Sequence, residues 1–77
     1  MIVEEYVLAK MVNLPDDKPN RVYYFNITGD DSEAWLARKE IAELYGENVQ
    51  EKYPDYDVGI THYEDGPQSY LIKVNIR

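Results

Sequence analysis

The patterning of this chain predicts an α+β fold of two layers, a four-stranded antiparallel sheet with one helix packed on one face, in the order ββαββ. Three observations predict it. One segment, from about residue 32 to residue 52, repeats its apolar side chains at helical spacing. Two pairs of segments rich in β-branched and aromatic residues flank that helix. Within each pair the joining residues are drawn from proline, glycine, asparagine and aspartate, which reverse a chain.

Residues 2–12, IVEEYVLAKMV, mix β-branched, aromatic and polar residues with imperfect alternation and read as a first strand. Residues 13–20, with Pro15 and Pro19 between asparagines and aspartates, are a loop. Arg21 to Thr28 is the second strand, with Tyr23, Phe25 and Ile27 on one face. Gly29-Asp30-Asp31-Ser32-Glu33 announces the helix. Asp30 is placed to cap the Glu33 amide, and the acids suit the positive end of the helix dipole. Ala34, Ala37, Ile41 and Tyr45 form the buried stripe, with Ala42, Leu44 and Val49 on its shoulders. Gly46 costs about 1 kcal/mol in a helix interior, but Val49 and Tyr53 continue the stripe, so one helix runs to about Lys52. Tyr53-Pro54 closes it. Asp57 to Glu64 is a third strand, and the turn at Gly66-Pro67 leads to a fourth, Ser69 to Arg77. In that strand Tyr70, Ile72, Val74 and Ile76 face one way, and Leu71 is the apolar exception on the other face.

Seventy-seven residues make a single small domain, residues 1–77, with a hydrophobic content of 44% that argues against disorder. There is no cysteine for a disulfide or a thiolate metal site. A net charge of −7 disfavours direct binding to nucleic acid or to anionic membranes and favours basic partners. Residues 1–5 lack the basic and apolar regions of a signal peptide, and no apolar stretch reaches transmembrane length, so a cytoplasmic location is expected.

Catalytic chemistry finds few candidates. Ser32, Ser69 and the single histidine, His62, are the only parts of a nucleophile–base pair, and His62 alternates in phase with Val58 and Ile60, as a structural core histidine does. Asp55, Asp57 and Gly59 hint at a calcium loop, but glycine falls fifth and Glu64 tenth, where an EF-hand wants glycine sixth and glutamate twelfth. The segment reads as a polar strand entry. No glycine-rich loop cradles a phosphate, and Asp30, Asp31 and Glu33 repel anions from the helix N-terminus. No enzyme activity, metal or cofactor is expected.

What remains is charge. Glu33, Glu40, Glu43, Glu47 and Glu51 fall within about a quarter of the helix circumference, with Leu36 among them and Trp35 at the border. Like charges at i,i+4 cost a helix roughly 0.2–0.5 kcal/mol per pair. From Glu40 onward the spacing, about 5–6 Å, is comparable with that of phosphates along a nucleic-acid strand. A leucine within a carboxylate row suits an interface with a charged rim. This face is the candidate protein-binding site for a basic, nucleic-acid-binding protein, which the module would inhibit or mask as a nucleic-acid mimic. A solvated surface helix is the plainer alternative. In size, charge and helix-on-sheet build the chain resembles small acidic inhibitors of phages and mobile elements that block nucleases and CRISPR complexes. The other reading is a structural or assembly subunit. The uncovered sheet face should carry Leu71 and, depending on register, Tyr6, Leu8, Tyr24 and Tyr63, and a homodimer could form through it.

Overall fold

The computed structural model describes residues 1–77, and it replaces the predicted ββαββ order with αβααββ. The elements are α1 (Val3–Met11), β1 (Val22–Thr28), α2 (Ser32–Leu36), α3 (Arg38–Lys52), β2 (Val58–Glu64) and β3 (Ser69–Ile76). The sheet has three strands, not four, and there are three helices, not one. Its order is β1-β3-β2 and every pairing is antiparallel.

The error lies in residues 2–12. Val3, Tyr6, Val7 and Met11 recur at helical intervals, and these are the side chains packed into or against the core. Glu4, Glu5, Leu8 and Ala9 point outward. Glutamates in the first turn and Lys10 in the last suit the helix dipole. At nine residues α1 is too short to persist alone. It exists because it docks on α3, where Val7 is fully buried.

The long helical segment is also corrected in two details. The N-cap is Asp31, not Asp30: its side chain accepts a hydrogen bond from the Ala34 amide at 3.2 Å. At Ala37 the backbone leaves helical geometry (φ −100°, ψ 12°), which divides the segment into α2 and α3. Arg38 braces the break. Its guanidinium donates to the Trp35 carbonyl at 2.7 Å and to Glu64 at 3.1 Å, and lies 4.2 Å from the Trp35 ring centre.

Beyond Ala37 the apolar stripe behaves as read. Ile41, Ala42, Tyr45 and Val49 are buried against Tyr70, Ile72, Val74 and Ile76 of β3, and Phe25 meets Tyr45 edge to face at 5.1 Å. Gly46 does not end α3 but is buried within it. A Cβ there would stand 3.2 Å from Cβ of Ile60, so glycine is what lets α3 approach β2. The loop after α1 is tied to the far end of α3 by Lys52–Asp16 at 3.2 Å and by the Tyr53 hydroxyl, which donates to the Pro15 carbonyl. The β2–β3 turn carries Gly66 at φ 94°, a conformation in which side chains are strained. Helices cover one face of the sheet, and the other is open. No helix is long and apolar enough to cross a membrane.

Candidate protein-binding surface

Two of the six residues singled out in the sequence part company with the rest. Glu33 lies in α2, where its carboxylate meets the Met1 ammonium at 2.8 Å and is neutralised. Leu36 ends α2 and is 84% exposed, beyond the Ala37 break and outside both grooves described below. Glu40, Glu43, Glu47 and Glu51 stand together on α3, and all four are exposed.

These four carboxylates have no countercharge. The chain forms three ion pairs, which occupy Glu33, Glu64 and Asp16. Lys39, four residues before Glu43, forms none of them. The arrangement follows from local sequence: α3 places its apolar residues on one side, and glutamates at steps of three or four fill the opposite side.

The row is a ridge between two grooves. On one side an open groove of about 470 Å³ lies between α1 and α3, lined by apolar Ile2, Val3 and Leu44 and by Glu4, Glu40, Glu43 and Glu47. On the other side a shallow, open groove of about 560 Å³ runs between α3 and β2, lined by Gly46, Val58 and Ile60 and bordered by Glu43, Glu47 and Glu51. Glu43 and Glu47 border both. Glu4 was missed in the sequence because a strand over residues 2–12 gave it no reason to approach α3. The helical spacing of Val3, Tyr6, Val7 and Met11 was the signal that could have found it.

The remaining polar candidates occupy structural positions. Nδ1 of His62 lies 2.5 Å from the Tyr70 hydroxyl, under the same Arg38 that holds Glu64. Asn26 donates to Ser69 Oγ at 3.0 Å, and Ser32 opens α2. The Asp57 backbone pairs with Arg77 at the entry of β2. No three acidic, histidine or cysteine side chains gather closely enough to hold a metal ion.

The open sheet face is the second distinctive surface. Register places Val22, Tyr24 and Asn26 of β1, Thr61 and Tyr63 of β2, and Leu71 and Lys73 of β3 on it. Tyr24 is 69% exposed and Tyr63 45%. Tyr6 and Leu8, offered for this face by the sequence, belong instead to α1.

No protein family, no curated protein and no solved structure matches this chain. Its function must be sought in these surfaces.

Proposed function

We propose that this chain is a non-enzymatic protein-binding module that presents the outer face of α3 to a basic protein and inhibits or masks it. One observation carries the reading: Glu40, Glu43, Glu47 and Glu51 are exposed along one helix side with no cation paired to them. A row of uncompensated charge stabilises no fold. It costs the helix a few tenths of a kcal/mol per i,i+4 pair, which is recovered when a cationic surface covers it. Spacing of about 5–6 Å lets the row stand in for phosphates, so a cleft built for nucleic acid is the fitting partner. An acidic surface also speeds encounter with such a cleft.

The test is charge reversal. Wild-type protein and the double variant Glu43→Lys/Glu47→Lys are used to capture proteins from a lysate of the source cells. Each recovered basic protein is then assayed for nucleic-acid binding in the presence of either form. A partner held only by wild type, and displaced by it from nucleic acid, supports the reading. Equal capture and equal displacement by the folded variant overturn it.

A second reading has its own observation. Tyr24, Tyr63, Val22 and Leu71 on the open face suit a homodimer formed back to back. In that case α3 faces outward as a bystander.

A further inference from the structure

β2 is an edge strand whose outer side has no partner. Asp57 exchanges both backbone hydrogen bonds with Arg77, and the Asp65 amide donates to Ser69. Antiparallel ladders alternate, so the odd-numbered residues of β2 bond to β3. The amides and carbonyls of Val58, Ile60, His62 and Glu64 therefore point away from the sheet, and no other backbone or side-chain bond takes them up. Natural edges are blunted by charged side chains, proline or a bulge. β2, VGITHYE, has neither proline nor bulge, its one charge is Glu64 at the far end, already paired with Arg38, and its register with β3 runs unbroken from Val58 to Glu64. The other edge, β1, is bordered by the end of α1, where Lys10 lies 5.1 Å from the Phe25 ring centre.

An added strand would continue the sheet past β2 and under the side of α3. Its residues bonded to Val58, Ile60 and His62 would turn their side chains to the helix face, into the groove bordered by Glu43, Glu47 and Glu51. Alternate residues of a strand stand about 6.7 Å apart, and glutamates four residues apart on a helix about 6 Å. The two rows match in step. A second copy does not suit this edge. Antiparallel β2–β2 pairing would bring two such glutamate rows together across the seam, between chains of net charge −7 each.

We propose that β2 accepts an extended basic segment as a fourth strand, with lysine or arginine at alternate positions facing the α3 glutamates and β-branched residues facing Thr61 and Tyr63. This rests on the reading of the acidic face given above and names the form its partner takes: backbone pairing at the edge, charge pairing at the ridge.

The test uses a synthetic peptide of about seven residues, the length of β2, alternating lysine and valine. Two derivatives carry N-methyl groups, one on the lysine amides and one on the valine amides. The proposal expects peptide addition to slow hydrogen exchange at the Ile60 and His62 amides. Methylation of the lysine amides should weaken binding by about tenfold or more, because those amides bond to β2, whereas methylation of the valine amides should be tolerated. Glu43→Gln/Glu47→Gln should weaken the parent peptide by about tenfold as well. If both methylated peptides bind like the parent while the glutamine variant fails, the acidic face binds cations without strand addition and the edge proposal falls alone. If the glutamine variant binds unchanged and no edge amide is protected, both readings fall. Protection that appears without peptide, and rises with protein concentration, assigns the edge to a second copy and overturns the proposal.

Discussion

Two neighbouring residues of α3 show how burial overrides local preference. Gly46 is the worst common residue for a helix interior short of proline, at about 1 kcal/mol against alanine. It is kept where α3 crosses close to Ile60, because any Cβ there would press on β2. Tyr45 is 1% exposed and its phenol is pushed from the ordinary value of 10.0 up to about 12, chiefly by burial. Tyr53 and Tyr70 are raised for the same leading reason. The neutral phenol is the form the fold holds. Its contribution is therefore complete below the unfolded value of 10.0 and is lost as pH rises toward 12, and for Tyr45 amounts to about 3 kcal/mol. Urea unfolding through that range should show stability falling steeply, and Tyr45→Phe should remove about that much of the fall. A Tyr45→Phe variant that loses stability as steeply as wild type would show that the phenol ionises without cost.

At the scale of elements, α3 carries opposed demands on its two sides. Its apolar side supplies Ile41, Ala42, Tyr45 and Val49 to the core, while its outer side accumulates like charge. Removing that charge should make the helix more stable. Glu43→Gln/Glu47→Gln is expected to raise unfolding free energy by about 0.5 kcal/mol at low salt, with the gain vanishing in concentrated salt. Denaturation curves at two ionic strengths measure this. A loss of stability would mean that these carboxylates are compensated and have no cost to recover from a partner. α1 makes a different point. Its composition suits either a short strand or a helix, and a short apolar run cannot be assigned from periodicity alone. Docking on α3 settled it, and that docking in turn created the groove in which Glu4 joins Glu40, Glu43 and Glu47.

For the molecule as a whole, the two functional readings assign different surfaces to contact. If the open face is a dimer interface, the mass in solution should double with concentration, and Tyr24→Ser/Leu71→Ser should return it to a monomer. If the acidic face is the working surface, mass should stay that of one chain, 9.0 kDa, across the same range. Sedimentation at several concentrations separates the two. Charge favours the second outcome, since each copy carries −7.

Much of this was legible from residues alone: the buried stripe of α3, the alternation of β1 and β3, Leu71 on the uncovered face and the glutamates opposite the core. Each is a repeat within one element, and period by itself states which side chains share a face. Tertiary structure decided what period cannot state. It made Val3–Met11 a helix because α3 offered an apolar side to lie on. It took Glu33 out of the acidic row by giving it the Met1 ammonium, and separated Leu36 from the row at Ala37. It placed β3 between β1 and β2, leaving the outer edge of β2 unpaired beside the glutamates. These outcomes depend on which surfaces meet across long stretches of chain, and contact energy, rather than local spacing, selects them.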